Sequence, residues 1–211
     1  MYKEAISKTY VHNADNAPYG SLAIISKLIG KNKRVLDIGC SSGYLSKYCP
    51  ENEFYGIDGN SEAIDMANRT YKKAIVVDLN QIPDSLLFDV KFDYIIFADI
   101  LEHLLYPELL LKHFAMYLNN GGKVIVSLPN IALWRNRFNL LFGHFDYTDF
   151  GVMDRTHLHL YTYSTAKQLL QNSGYRVEEQ VGAAYATGRF VNLNQFLKNL
   201  LSVHIITIAK L

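Results

Sequence analysis

The chain has 211 residues, of which 49% are hydrophobic and 19% charged, and its formal net charge at pH 7 is +1. We expect one compact globular domain, and the near-neutral charge gives no reason to expect a nucleic-acid partner. The two cysteines, Cys40 and Cys49, belong to no CxxC or Cys/His array, which argues against a disulfide or zinc site. Without an apolar leader or a run of about 18 apolar residues, the sequence predicts a cytoplasmic protein with no transmembrane segment.

The segment KRVLDIGCSSGYLS, residues 33–46, joins a short apolar run to a glycine-framed turn. It predicts a buried strand up to residue 38, a turn at Gly39 and Gly43, and a helix from Tyr44. Glycine lets a backbone approach a ligand closely, and a helix N-terminus offers N–H groups to it. Many α/β proteins turn on glycine at this point, so the motif alone is compatible with a ligand loop or with an ordinary tight turn.

A second apolar run, residues 53–57, ends in Asp58, which stands 19 positions after Gly39. An acid at the end of the second strand, about 20 residues past a glycine loop, is placed to accept hydrogen bonds from the ribose hydroxyls of an adenosine-containing ligand. The alternative is an acid at a helix N-terminus, because Ser61 and Glu62 follow at once. The spacing favours the ribose role.

Short apolar runs then alternate with helical patterns, which indicates a parallel sheet with helices on both faces. Further strands are predicted at residues 74–77, 92–98, 123–128, 175–180 and 203–209. The first two of these end at Asp78 and Asp99. Helices are predicted from Pro107, which suits a first helical turn, from about residue 164, and at residues 195–201.

The alternation stops between about residues 129 and 162, which is long for a connection in a compact domain and predicts a substrate-side insertion. An apolar stripe with helical spacing predicts an amphipathic helix there. The stripe consists of Trp134, Phe138, Leu141, Phe142 and Phe145. We expect it to pack on the protein's own core or to cover the active site, with contact to a membrane as the less favoured alternative.

With these motifs in place, the chain resembles the class I S-adenosylmethionine-dependent methyltransferases over nearly its whole length. VLDIGCSSG is similar to the GxGxG-type first motif of that family, except that Ser41 stands at the middle glycine. ADILEHL is similar to the subgroup that includes ubiquinone-pathway O-methyltransferases. The stretch from LPNIALW to THLHLYT resembles bacterial and archaeal methyltransferases associated with sugar and cell-surface polysaccharide synthesis.

The resemblance implies a Rossmann-like fold, a three-layer α/β/α sandwich formed by one domain over residues 1–211. Its seven-stranded, mostly parallel sheet is expected to have the order 3-2-1-4-5-7-6, with strand seven antiparallel. The resemblance also implies S-adenosylmethionine as the cofactor, with S-adenosylhomocysteine as its product. The implied cofactor residues are Asp58 at the ribose, Asp78 and Leu79 at the adenine, Ala98 and Asp99 near the methionine moiety, and Asp37, Gly39, Cys40, Ser41, Gly43 and Gly59 in the first two loops.

Methyl transfer from a sulfonium requires alignment in a dry pocket, and a general base helps when the acceptor is a hydroxyl. His103 follows the fourth strand and His157 lies in the insertion, and each is a candidate base because histidine titrates near neutral pH. The alternative for His103 is a histidine bonded to backbone, and for His157 a loop histidine paired with Asp154. His157 and His159 form an HxH pair, but no further ligands at suitable spacing are visible, so no metal is predicted.

Asn130, Trp134 and Arg155 are the predicted substrate contacts, with a Pro-Asn turn as the alternative for Asn130. The leading hypothesis is a methyltransferase that acts on a hydroxyl of a small molecule, with a sugar or polysaccharide precursor, free or lipid-linked, as the expected acceptor. The alternatives are a non-catalytic cofactor-binding or scaffold module and an NAD-dependent oxidoreductase, whose GxGxxG spacing the loop lacks. The sequence does not indicate an oligomeric state.

Overall fold

The computed structural model describes residues 20–81, 87–183 and 195–211, and within these ranges the chain forms a seven-stranded sheet. Its strands are β1 (Arg34–Ile38), β2 (Glu53–Asp58), β3 (Lys73–Val76), β4 (Phe92–Ala98), β5 (Leu118–Pro129), β6 (Arg176–Ala183) and β7 (His204–Lys210). Their order is β3-β2-β1-β4-β5-β7-β6. The first five are parallel, whereas β7 is antiparallel to β5 and β6. This confirms the predicted order. Residues 1–19, where no apolar leader is expected, lie outside the described residues.

Helices cover the sheet on both sides. They are α1 (Ser21–Ile29), α2 (Leu45–Tyr48), α3 (Ser61–Ala67), α4 (Pro107–Ala115), α5 (Trp134–Leu141), α6 (Tyr163–Asn172) and α7 (Gln195–Leu201), together with a 3-10 turn at Leu101–His103. α3 begins where the Asn60 side chain accepts hydrogen bonds from two backbone N–H groups. α6 begins at a capping box between Thr162 and Thr165. Local capping therefore explains why both helices start close to the predicted positions.

Neighbouring residues of the central strands belong to two different cores. Ile95 and Phe97 of β4 pack in the core beneath α4 and α6, whereas Ile96 packs in the core beneath α1, α2 and α3. This alternation follows from the two-residue period of a strand, and it requires apolar side chains on both faces of a parallel sheet. The result is the predicted three-layer α/β/α arrangement.

β5 is longer than the sequence predicts. The strand was predicted from residue 123, but residues 119–122 also belong to it. Phe92 pairs with Leu118, and the register of the β4–β5 pair then shifts before Tyr94. Such a shift lets one strand accommodate extra residues without losing the pairing that follows. The glycines therefore lie at a strand irregularity.

The apolar stripe of the insertion does not pack on the domain's own core, so that prediction is wrong. No residue of α5 is buried, and the five stripe side chains, Trp134 to Phe145, are between 43% and 77% exposed. Helical periodicity identifies an apolar face but not what covers it. The role of α5 as a cover for the active site stays a prediction. Among the described residues, no helix combines the length and apolarity that crossing a membrane requires.

Substitution of Gly56 in β2 tests the packing beneath the glycine turn. A Cβ added there would lie 2.6 Å from Cys40 Sγ and 2.9 Å from the Tyr71 ring, and both side chains are buried. We expect Gly56→Ala to lower the free energy of unfolding by about 1–3 kcal/mol, because the overpacked neighbours must move. Urea denaturation measures the loss. Gly59→Ala is the matched control, since a Cβ there meets only the Val77 carbonyl at 3.8 Å. Equal losses for the two variants would contradict the packing explanation.

Candidate active site

The carboxyl ends of β1 to β4 lie along one edge of the sheet, where open α/β sheets bind their ligands. The interiors of these strands are largely buried, but several predicted cofactor residues at or after the strand ends are partly exposed. They are Gly39, Ser41, Asp58, Asp78, Leu79, Ala98 and Asp99. The structure therefore brings most of the predicted cofactor residues to the same edge.

The glycine turn is fastened to β2 through its backbone. The N–H groups of Gly39 and Cys40 both donate to the Ile57 carbonyl, at 2.8 and 3.0 Å. The N–H of Ser41 donates to Asp58 Oδ2 at 2.8 Å. The sequence suggested that N–H groups of this turn are available to polar groups of the cofactor. For these three residues that expectation is wrong, because their N–H groups hold the turn in place.

Asp58 can accept hydrogen bonds besides the one from the Ser41 N–H. Its other oxygen, Oδ1, accepts a hydrogen bond from the N–H of Asn60 at 2.9 Å. A carboxylate offers about four acceptor positions, so two remain after the bonds to Ser41 and Asn60. Because the side chain is also partly exposed, its geometry fits the predicted contact with ribose hydroxyls.

Three residues of the turn have left-handed backbone conformations. The φ angles of Gly39, Ser41 and Gly43 are 76°, 46° and 78°. A Cβ at Gly39 would also lie 2.7 Å from Ile100 Cγ1. Serine tolerates the left-handed region less well than glycine does. The hydrogen bond from Ser41 to Asp58 supports this conformation where the family pattern has glycine.

Asp37 lies behind the turn rather than at its surface. Its side chain is buried, and its Oδ2 accepts a hydrogen bond from the Tyr71 hydroxyl at 2.6 Å. Burial raises the pKa of the Asp37 carboxyl to about 7, although the bond from Tyr71 opposes this shift. Burial also raises the pKa of the Cys40 thiol, which keeps that thiol protonated. Both residues support the turn from within the core.

Asp99 is anchored to two neighbouring elements. Its Oδ1 accepts a hydrogen bond from Ser127 Oγ of β5 at 2.7 Å, and its Oδ2 accepts one from Ser21 Oγ of α1 at 3.3 Å. The N–H of Asp99 donates to the Ser127 carbonyl at 3.1 Å. These bonds hold a partly exposed carboxylate at the end of β4.

Three ionisable side chains meet at the 3-10 turn that follows Asp99. They are Glu102, His103 and His157, and we call them the Glu102 cluster. His157 Nε2 lies 4.0 Å from Glu102 Oε1, and the two imidazole rings are in edge contact with centroids 4.8 Å apart. Glu102 is 1% exposed, and in the described part of the chain neither of its carboxylate oxygens has a hydrogen-bond partner. Burial raises the pKa of Glu102 far above its usual range and lowers the pKa of both histidines.

The insertion carries His157 back to the sheet edge. The N–H groups of Leu158 and His159 donate to the Glu102 carbonyl at 2.8 and 3.2 Å. The N–H of Ile131 donates to the Tyr161 carbonyl at 2.9 Å, which joins the two ends of the insertion. The insertion therefore brings His157 into contact with His103, and the role of each as a candidate base stays a prediction.

Backbone and hydroxyl groups orient both imidazoles through Nδ1. His103 Nδ1 lies 3.1 Å from Thr156 Oγ1, and His157 Nδ1 lies 3.3 Å from the Val152 carbonyl. The Thr156 hydroxyl donates to Asp154 Oδ1 at 2.7 Å. Because the hydroxyl proton is used in that bond, the Thr156 oxygen can only accept a hydrogen bond from His103 Nδ1. The Val152 carbonyl likewise can only accept from His157 Nδ1. We therefore assign the proton of each neutral ring to Nδ1 and the lone pair to Nε2.

Asn130 lies next to this site but is fully buried. Its Nδ2 donates to the carbonyls of Asn199 and Ser202 at 2.9 and 2.8 Å, and its Oδ1 accepts from the Ala132 N–H at 3.1 Å. Both amide protons are therefore used within the chain. This is the turn role that the sequence left open as the alternative to substrate binding.

The other two predicted substrate contacts are exposed. Trp134 is 49% exposed at the start of α5. Arg155 forms an ion pair with Asp149 at 2.8 Å, between side chains that are both well exposed. Such a pair contributes little to stability, so Arg155 can exchange Asp149 for an anionic ligand at small cost.

Glu102 is not among the residues predicted from the sequence. A signal was present in the segment ILEHLL, residues 100–105, where two adjacent ionisable residues interrupt an apolar run. Charged residues in such runs are rarely buried without a partner, so their burial marks a functional candidate. The complete burial of Glu102 depends on the insertion, whose return to the 3-10 turn no local pattern indicates.

The strand order, the antiparallel β7 and the acid-lined edge define a class I S-adenosylmethionine-dependent methyltransferase fold. A family model described as "Methyltransferase domain" matches residues 10–180, and the chain belongs to this family. The predicted family is thereby confirmed, and so is S-adenosylmethionine as the cofactor of that family.

Two curated relatives match part of the chain. It is 31% identical over 105 residues to ubiquinone biosynthesis O-methyltransferase of Coxiella burnetii, which covers 47% of this chain and 45% of the relative. It is 30% identical over 103 residues to tRNA U34 carboxymethyltransferase of Campylobacter fetus, which covers 46% of this chain and 36% of the relative. The chain therefore spans less than half the length of these relatives.

Solved structures show the same fold over nearly the whole chain. A methyltransferase of Clostridium acetobutylicum has a TM-score of 0.62 at 14% identity and covers 100% of this chain and 97% of its own. Magnesium protoporphyrin IX methyltransferase of Synechocystis, solved with bound S-adenosylhomocysteine, has a TM-score of 0.60 at 16% identity and covers 90% and 81%. At these identities the likeness concerns the fold.

Asp37 is expected to make stability depend on pH. Its pKa is about 7 in the folded chain and 3.8 without perturbation. The folded state therefore binds more protons than the unfolded chain between about pH 4 and 7, and stability falls as the pH rises through this window. Asp37→Asn keeps an acceptor for Tyr71 but removes the titration. We expect it to gain up to about 4 kcal/mol relative to the unsubstituted chain between these pH values.

Urea denaturation at several pH values measures this effect. Asp65→Asn is the control, because Asp65 is exposed on α3. If Asp37→Asn and the unsubstituted chain lose stability equally between pH 4 and 7, the buried carboxyl is not the cause.

Proposed function

We propose that this chain transfers the methyl group of S-adenosylmethionine to a hydroxyl oxygen of a small molecule. The observation that carries the proposal is the Glu102 cluster, which follows Asp99 directly at the ligand-binding edge of the sheet. The family match supports methyl transfer. The Coxiella burnetii relative, named an O-methyltransferase, supports oxygen as the accepting atom. A sugar or polysaccharide precursor, free or lipid-linked, is the proposed acceptor class.

The residues at the strand ends are proposed to bind the cofactor. Asp58 binds the ribose hydroxyls with its two remaining acceptor positions, next to Gly59. Asp78 and Leu79 line the adenine side, and Asp99 lies toward the methionine moiety. When bound, the cofactor supplies a methyl group on a positively charged sulfur. The positive charge disappears during transfer, so the chain contributes mainly orientation and the exclusion of water.

The acceptor side is proposed to be the Glu102 cluster together with the insertion. His103 and His157 are largely desolvated, and their lowered pKa favours neutral imidazoles that can accept a proton from a hydroxyl. Trp134 and Arg155 are proposed to contact the acceptor. Residues from about 129 to 162 then act as the substrate-side part of a single domain.

Calorimetric titration with S-adenosylhomocysteine tests the cofactor site. We expect binding tighter than millimolar, and Asp58→Ala is expected to weaken it by about 1–3 kcal/mol, or about 5- to 150-fold, through lost charge-assisted hydrogen bonds. Asp65→Ala is the matched control on the exposed face of α3. No binding by the unsubstituted chain at millimolar ligand would overturn the proposed function. Equal affinity in both variants would remove Asp58 from the site.

Transfer of a radiolabelled methyl group to two acceptor panels tests the reaction. One panel contains phenols and the other contains sugar nucleotides and lipid-linked sugars. Label recovered in a base-stable ether identifies the acceptor oxygen and supports the proposal. Tight binding of S-adenosylhomocysteine without transfer to either panel would favour the alternative of a non-catalytic cofactor-binding module.

A further inference from the structure

The Glu102 cluster has the donor set of a metal site. Glu102, His103 and His157 each offer one ligand atom, and these atoms all lie within 4.8 Å of one another. Ligand atoms bound tetrahedrally at about 2.1 Å from one ion are about 3.4 Å apart. Movements of less than about 1 Å by each side chain therefore close the three groups on a single ion.

The Glu102 carboxylate provides an independent reason to expect a cation. It is 1% exposed, and neither of its oxygens is hydrogen-bonded within the described ranges. A buried polar group without a partner is costly, and a buried charge is more costly still. The 4.0 Å separation from His157 Nε2 is too long for a hydrogen bond. A divalent ion between these groups would satisfy the carboxylate directly.

The surroundings of the two imidazoles also match those of metal-bound histidines. Such histidines usually donate the N–H of their second ring nitrogen to a carbonyl or carboxylate, which orients the ring and fixes its tautomer. Here His157 Nδ1 faces the Val152 carbonyl, and His103 Nδ1 faces Thr156, whose hydroxyl is held by Asp154. We therefore assign coordination to Nε2 of each ring rather than to Nδ1.

We propose that the Glu102 cluster binds a divalent transition metal ion of the Zn²⁺ type through the Glu102 carboxylate and Nε2 of His103 and His157. Imidazole and carboxylate donors suit Zn²⁺, Co²⁺, Fe²⁺ and Mn²⁺, whereas Mg²⁺ prefers oxygen ligands alone. Three protein ligands leave a coordination position for a further oxygen. The sequence predicted no metal because the HxH pair lacked further ligands at suitable spacing. In the structure, Glu102 and His103 of the 3-10 turn lie beside His157, although they stand more than 50 positions earlier in the sequence.

The open position is assigned to the acceptor hydroxyl, and this part of the inference rests on the proposed function. A hydroxyl bound to the ion loses its proton more readily, and the proton passes to solvent. The oxygen then forms a bond to the methyl carbon as the carbon–sulfur bond breaks. The sulfur keeps the electron pair and becomes a neutral thioether, so charge and atoms balance.

Cobalt titration of the full chain tests metal binding without any acceptor. After treatment with a chelator and its removal, Co²⁺ is added and the visible absorption is recorded. We expect one Co²⁺ per chain, bands typical of a low coordination number, and displacement by one equivalent of Zn²⁺ but not by millimolar Mg²⁺. Absence of saturable binding at one ion per chain would overturn the proposal without any need for a variant.

Variants identify the ligands. We expect Glu102→Gln and His157→Gln each to weaken Co²⁺ binding at least about 100-fold, and Thr156→Val to weaken it about 10-fold through the loss of orientation of His103. His159→Gln is the matched control, because His159 belongs to the HxH pair but not to the cluster. Circular dichroism shows whether each variant is folded. If Glu102→Gln does not fold, His157→Gln alone provides the test. Unchanged affinity in a folded His157→Gln, or equal loss in His159→Gln, would overturn the assignment.

Calorimetry with S-adenosylhomocysteine on the same preparations separates the two proposals. Binding of S-adenosylhomocysteine without binding of Co²⁺ overturns the metal site and leaves the histidines as candidate bases. Binding of Co²⁺ without S-adenosylhomocysteine supports the metal site and overturns the proposed methyl transfer.

Discussion

The carboxylate of Asp58 joins the two loops on which the carboxyl-end edge of the sheet depends. One oxygen holds the N–H of Ser41 in the glycine turn, and the other holds the N–H of Asn60 at the start of α3. Hydrogen bonds to a charged group are about twice as strong as neutral ones. One side chain therefore holds the loops after β1 and β2 together and still has two acceptor positions. The backbone bonds to the Ile57 carbonyl secure the same turn from below.

Much of this edge could be predicted from the sequence because the relevant signals are local. Each strand from β1 to β4 is a short apolar run with an acid within two residues of its end, and parallel strands place their carboxyl ends together. Strand β4 and helix α7 have the predicted bounds, and β1 ends at the predicted residue. β2 is one residue longer than predicted, and β3 begins and ends one residue earlier. The distance from Gly39 to Asp58 also reflects geometry, because it is the length of one turn, one short helix and one strand.

The features that sequence reasoning missed depend on contacts between distant segments. The burial of Glu102 requires the insertion to return to the 3-10 turn, and no periodicity reports that return. The exposure of α5 was missed because an apolar stripe looks the same whether or not something covers it. The backbone N–H groups of the turn were expected to face the cofactor, but a sequence does not reveal that the Ile57 carbonyl accepts two of them.

The insertion begins and ends at the same place. Asn130 and Tyr161 are joined by a backbone bridge, and the N–H of Ile131 donates to the Tyr161 carbonyl. A loop whose ends are already held together can change in length at small entropic cost and without disturbing the sheet. Under the proposed function, acceptor preference can therefore evolve by exchange of this segment while the sheet edge with Asp58 and Asp99 stays intact. His157 belongs to the segment, so such an exchange would replace the proposed acceptor surface and one ionisable partner of Glu102 in a single event.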